Sequence, residues 1–207
     1  MVHPLLACFL DAAGGRFPPS DGRCVVVPPL PDGLECSVAF TGHAVVATAL
    51  SDHLVGGRGP DGFGGSLTPD FLRWLAGPQG TIGCTDATLY ALGIGGAPRI
   101  PEVDDVDHPR VRHARELRGD VRVFGDERGL VTIADGLAGR RELSIELAGE
   151  FGAGQGRALL ADALSLVPAK EPVFAAVSPG NARSLRAFLA VGFTPIGSEA
   201  IVRPARP

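Results

Sequence analysis

Residues 141–167, RELSIELAGEFGAGQGRALLADALSLV, join two different periodicities through glycines. Leu143, Ile145 and Leu147 alternate with Glu142, Ser144 and Glu146, the period of a strand with one apolar and one wet face. Leu159, Leu160, Ala163, Leu164 and Val167 then recur at helical spacing until Pro168, which lacks the N–H another turn needs. Between them, Gly152, Gly154 and Gly156 permit positive φ and close backbone approach. The chain must therefore pass from strand to helix here, which implies an α/β fold. The first-turn N–H groups of such a helix have no internal partner, and the peptide dipoles add positive charge, so a phosphate fits the junction. A plain strand-to-helix connection is the other reading.

Two nucleotide motifs fail against these residues. A dinucleotide fingerprint, G-x-G-x-x-G, would end on Arg157 counted from Gly152, or on Leu159 counted from Gly154. A P-loop closes on Gly-Lys-Ser/Thr, and the only lysine of the chain is Lys170. Phe151-Gly152-Ala153-Gly154-Gln155-Gly156, followed by Arg157-Ala158-Leu159-Leu160, instead resembles the acyl-CoA-binding motif of the GNAT superfamily of N-acetyltransferases, with Phe151 at the leading Arg/Gln position. Val173–Val177 reads as a short buried strand. Asn181 to Phe193, NARSLRAFLAVGF, is similar to the family's Asn-x-x-Ala/Ser helix closing in Gly-Phe. The resemblance covers about residues 121–202.

The resemblance implies a GNAT-like mixed central sheet flanked by helices, acetyl-CoA or another acyl-CoA as acyl donor, and a small-molecule or protein amine as acceptor. It implies that Gly152 to Arg157 hold the pyrophosphate, with Phe151, Ala153, Gly154, Gln155 and Gly156 in that loop. The pantetheine arm would add to the edge of the strand at Glu146, Leu147 and Ala148, and Asn181 with Ser184 would meet the cofactor from the next helix. Acyl transfer needs a neutral amine, a donor for the oxyanion and a proton for the leaving thiolate. Glu146 is the candidate base, with a solvated carboxylate on a half-exposed strand as the alternative. Where the family often keeps a tyrosine acid, this chain has Phe188, and its only tyrosine is Tyr90. A non-catalytic acyl-CoA-binding or regulatory protein is therefore a second expectation.

Composition narrows the partners. A net charge of -4 argues against nucleic acid, which basic patches bind. No apolar run approaches the roughly 18 residues of a membrane span, so no membrane partner is expected. Cys8, Cys24, Cys36 and Cys84 show neither C-x-x-C nor zinc spacing, which predicts reduced, mostly buried thiols and a cytoplasmic protein. Asp104, Asp105, Asp107 and His108 read as solvated acids rather than a metal site.

A proline- and acid-rich stretch at 98–110 suggests a linker or exposed loop, dividing an N-terminal α/β part, 1–106, from an acyl-CoA-binding part, 107–207. The first part is either an enlarged substrate-binding side or a separate degenerate copy of the same fold. In it the pattern predicts a first helix in MVHPLLACFLDAAGG, a strand at 23–27, a hairpin of 34–40 and 43–50 turning at Thr41-Gly42, and a helix at 71–76. GGRGPDGFGG, 56–65, reads as a flexible loop, either a lid or a surface connection. In the second part, 121–124, 130–134 and 142–147 read as consecutive strands, and part of residues 1–110 must complete their core. Ser51, Asp52 and His53, adjacent on a strand, would point to opposite faces, and His43 and His53 read as surface or hairpin residues. The few charges of the N-terminal part leave room for a homodimer interface.

Overall fold

The computed structural model describes residues 2–104, 106–149 and 154–206. Among them are nine β-strands and six α-helices, an α/β chain with mixed strand directions. They form two compact units, Met1–Thr88 with Pro195–Pro207, and Leu89–Thr194. No helix among the described residues is long and apolar enough to cross a membrane.

The first unit begins with α1 (Pro4–Ala13), which starts where Pro4 needs no N–H partner and where His3 Nδ1 accepts the Leu5 N–H at 3.2 Å. Leu5, Phe9 and Ala12, at helical spacing, are its buried stripe. Strands β1 (Cys24–Val27), β2 (Glu35–Phe40), β3 (His43–Ala47), β4 (Thr81–Leu92) and β9 (Thr194–Arg203) run in the order β1-β3-β2-β9-β4. The β2–β3 hairpin turns at Thr41-Gly42, as expected, with Gly42 at φ +71°. Phe9 of α1 meets Phe40 at 5.9 Å between ring centroids, on one sheet face. On the other face α2 (Asp52–Gly56) and α3 (Pro69–Ala76) bury Val55, Phe71, Leu72 and Leu75 against Val46, Ala200 and Val202.

Three expectations change here. The strand expected to reach residue 50 ends at Ala47, because the Ser51 Oγ accepts the Leu54 N–H and caps α2, placing Asp52 and His53 on a helix. The glycine-rich stretch 56–65 is folded back on the hairpin rather than loose. Its Gly62 N–H donates to Gly22 O at 3.0 Å, and a Cβ at Gly62 would stand 2.5 Å from the Gly42 backbone. Asp61 Oδ1 accepts the N–H groups of Phe63 and Gly65. His43 is a hairpin residue as expected, opposite Phe40, but it is buried rather than on the surface, with Nδ1 2.9 Å from Asp21 Oδ1. The Arg23 N–H first, and then His43, hold the Asp21 carboxyl below its usual range.

The thiols are more varied than expected: Cys36 is buried, Cys8 and Cys24 are half-buried, Cys84 is exposed, and no disulfide joins them. Burial, with the Asp61 charge, pushes the Cys24 thiol up to about 11, leaving it an unreactive thiol at neutral pH.

In the second unit the order is β4-β8-β7-β6-β5, with β5 (Gly119–Asp126), β6 (Gly129–Asp135), β7 (Arg141–Leu147) and β8 (Pro172–Val177). Residues 89–92 of β4 belong to this unit, so the N-terminal half does supply a strand to its sheet. β5, β6 and β7 are antiparallel neighbours, and β7 and β8 run parallel. Three helices complete the unit: α4 (Pro109–Leu117), α5 (Gln155–Ala163) and α6 (Ala182–Ala190). The proline-rich stretch before α4 is docked rather than free: Ile100 is buried, Val103 N–H donates to Val123 O, and Gly125 N–H donates to Pro101 O. It covers part of the outer edge of β5, where unpaired backbone would otherwise lie open.

The first unit is closed by contacts between residues far apart in sequence. Glu35 on β2, 1% exposed, takes both terminal nitrogens of Arg206 and the Ala49 N–H at 3.0 Å. The Ala205 N–H donates to Ala76 O at 2.8 Å. Arg206→Ala would leave a buried carboxylate without its cation and is expected to cost about 3 kcal/mol. Urea unfolding checks this; an unchanged midpoint would show that the clamp contributes nothing.

Candidate functional site

The site begins with the two sides of β7. Toward β6 the ladder is continuous, from Arg141↔Asp135 to Leu147↔Gly129, and just beyond it the Ala148 N–H donates to Arg128 O at 3.0 Å. Antiparallel alternation then sends the backbone groups of the even residues 142–148 toward β6 and those of the odd residues toward β8. On the β8 side the register holds only one pair, Glu142↔Phe174. Ile145 and Leu147 therefore present amides and carbonyls to a stretch where β8 offers no registered partner. Of the three strand positions expected at the cofactor, Leu147 lies on this open edge, whereas the backbones of Glu146 and Ala148 face β6. Ile145, missed in the sequence, takes their place, because parity of the ladder was not readable without the pairing.

Helix α5 follows. Gly154 is its N-cap at φ +75°, a conformation that favours glycine, and its carbonyl accepts the N–H groups of Arg157 and Ala158. Gln155 and Gly156 occupy the first turn, whose N–H groups have no acceptor within a helix. A Cβ on Gly156 would sit 3.5 Å from Leu147 Cδ1, so helix and strand meet at this point. The far half of α5 is latched by Asp162, which pairs with Arg128 Nη1 at 2.8 Å, while Arg128 is itself forked onto Asp126. Phe151, Gly152 and Ala153 lie outside the described residues.

Asn181 caps α6: its Oδ1 accepts the Ser184 N–H at 3.1 Å, so the capping geometry explains both residues and leaves the Asn181 amide nitrogen for other work. Phe188 is buried, edge-to-face on Phe193 at 4.8 Å. Tyr90 lies half-buried on β4, the strand next to β8.

The even face of β7 is not the wet face its sequence suggests. Glu146 is 39% exposed and 3.2 Å from Arg110 Nε of α4. Ser144 Oγ is 2.7 Å from Thr132 Oγ1 and accepts from Arg118 Nη1 at 3.4 Å. Glu142, expected as part of the strand's wet face, is buried between Arg118 Nε and Arg140 Nη2, each at 2.8 Å, and accepts the Leu137 N–H at 2.9 Å. Arg140 is itself buried, its guanidinium carbon 5.5 Å from the centre of the Phe174 ring. A Cβ at Gly136 would fall 2.1 Å from the Glu142 carboxyl carbon, so glycine makes room for the cluster. None of these arginine partners was singled out in the sequence: Arg110 and Arg118 reach β7 from α4 and its end, and Arg140 folds onto Glu142 from the turn before the strand.

Burial alone would raise the Glu142 carboxyl, but the charges of Arg140 and Arg118 outweigh it and hold it below its ordinary value. His113 on α4 is moved down, by burial and then by Arg110 and Arg118, so its neutral form is favoured.

No family model matches the chain, and no curated protein matches it significantly. The site therefore stands on its own residues.

A depressed native carboxyl stabilises the fold above the unfolded-state value and loses that contribution as pH falls through the native one. Glu142→Gln would remove the negative charge between Arg118 and Arg140 at neutral pH and is expected to cost about 3 kcal/mol. The gap between variant and wild type should narrow below about pH 5. Denaturant melts from pH 7 to pH 3 check this; a gap independent of pH would rule out an ionised Glu142 in the folded state.

Proposed function

We propose that the second unit binds an acyl-CoA and transfers its acyl group, acetyl in the simplest case, to an amine. The observation that carries this reading is the open edge of β7 at Ile145 and Leu147, running toward a helix whose N-cap is a left-handed glycine. A ligand with amide groups along one arm and a pyrophosphate at one end matches that order of features: backbone hydrogen bonds first, then unpartnered N–H groups at positive potential. The resemblance of 151–157 and 181–193 to the GNAT superfamily supports the same assignment, as does the α/β architecture with a strand–helix junction at that place.

In this account Ile145 and Leu147 hold the pantetheine arm, the first turn at Gly154, Gln155, Gly156 and Arg157 holds the pyrophosphate, and Asn181 approaches from α6. The neutral amine attacks the thioester carbonyl; the new C–N bond forms, the C–S bond breaks, and the amine proton is lost as the thiolate leaves. Glu146, between Ile145 and Leu147 on β7 and partly exposed, is the candidate to receive that proton, directly or through water. Phe188 has no proton to give, so protonation of the thiolate falls to water or another group.

A second reading, a non-catalytic acyl-CoA-binding protein, has a specific basis. Phe188 is committed to packing, and Glu146 is already paired with Arg110.

Calorimetry should show saturable binding of acetyl-CoA to the wild type. Gly154→Glu, which sets bulk and negative charge at the pyrophosphate, should remove it while far-UV dichroism stays native. Undiminished binding in that variant would sink the site assignment. Free-thiol release across an amine panel then separates the two readings, since turnover on any amine requires the enzyme. Direct transfer needs no enzyme thiol, so Cys84→Ser should retain turnover; loss of turnover without loss of fold would point to an acyl-cysteine route instead.

A further inference from the structure

A cleft in the first unit is not used by the acyl-CoA reading. It measures about 410 Å³ and lies between α3 and the amino-terminal half of β4, with Leu67, Leu72 and Ile82 as its apolar lining and Thr85 at one side. Its volume falls in the lower part of the range of small-ligand pockets, about 300–1,000 Å³.

Two opposite charges border it, Asp70 and Arg73, one helical turn apart on α3. Side chains at that spacing stand side by side, their Cβ atoms about 5–6 Å apart. Neither has an oppositely charged partner among the described residues. Arg73 is nevertheless held in place: its Nη1 donates to Gly80 O at 2.9 Å and to Gly77 O at 3.5 Å. The remaining donors of the guanidinium fork are thus oriented without being spent. A single cation or a single anion would satisfy one charge and be repelled by the other. A molecule carrying an ammonium and a carboxylate on one carbon satisfies both, and an apolar side chain on that carbon would cover Leu67, Leu72 and Ile82.

We propose that this cleft binds a free α-amino acid with an apolar side chain. Asp70 accepts hydrogen bonds from its ammonium, Arg73 donates to its carboxylate, and the aliphatic lining takes its side chain. The proposal is independent of acyl-CoA binding, because every residue it uses lies in the first unit.

L-leucine is the probe, titrated into the full chain up to about 10 mM by calorimetry and by thermal melts. Saturable binding is expected, with L-leucinamide, which lacks the carboxylate, and N-acetyl-L-leucine, which lacks the ammonium, each weaker by about tenfold or more. Asp70→Asn, at an exposed position, should weaken leucine by a similar factor while the melting temperature of the free protein stays put. Arg73→Gln would also remove the brace on the 77–80 turn, so Thr85→Trp, which fills the cleft from the strand side, serves as the second variant and should also abolish binding. No saturable binding of leucine, equal binding of the amide or the N-acetyl compound, or full binding in both Asp70→Asn and Thr85→Trp would each overturn the proposal.

Discussion

Glu142 and its two arginines set the geometry of the second unit. A buried guanidinium, a partly buried one and a buried carboxylate are costly to desolvate, and the carboxylate is tolerable only while its cations stay within hydrogen-bond reach. Arg118 comes from just past the end of α4, Arg140 from the turn before β7, and Arg140 lies over Phe174 of β8. The cluster therefore gathers one helix and two strands at one level of the sheet. That level is also where β7 and β8 make their single registered contact. Beyond it the two strands have no ladder between them, and the open edge used in the proposed site begins there.

The consequence is a division of labour along one strand. The amino-terminal end of β7 is clamped by charge, its β6 side by a full antiparallel ladder, and only its carboxyl-terminal edge toward β8 remains for a ligand. Arg128 steadies that end from outside: its carbonyl holds the Ala148 N–H while its guanidinium holds Asp162 of α5. Strand and helix are thus both referred to one residue of the β5–β6 turn, which keeps the junction between them in place.

The first unit relies on the same physics in another form. Glu35 is nearly inaccessible, and the cation that neutralises it arrives from Arg206, at the other end of the chain. β9 enters the sheet beside β2, and Ile201 and Val202 register with Cys36 and Glu35. Closure of this unit therefore joins residues far apart in sequence.

Much of the local structure was legible in the residues. The alternation of 142–147, the helical spacing after Gly154 and the Thr41-Gly42 turn all act within a few positions, where propensity and period decide; the helix expected to run to Pro168 instead ends at Ala163 and tightens into a 3-10 turn over Leu164–Leu166. Gly154 was readable as a special position because few other residues tolerate the backbone it adopts. What stayed hidden was β4, β9 and α4. Thr81 to Leu92 alternates poorly because its two halves meet different surroundings, and α4 buries only Val111 and Ala114, too little to show a stripe.

By itself the sequence determined the order of elements around the glycine junction, since backbone conformation and hydrophobic period are local. Only the tertiary structure decided which carboxylates are solvated and which are buried. Glu142 and Glu146 occupy equivalent places in an alternating strand, yet one is sealed between two arginines and the other is 39% exposed. The difference comes from Arg118, Arg140 and the glycine at 136, brought together by folding, because burial is a property of what surrounds a side chain and not of its place in a pattern.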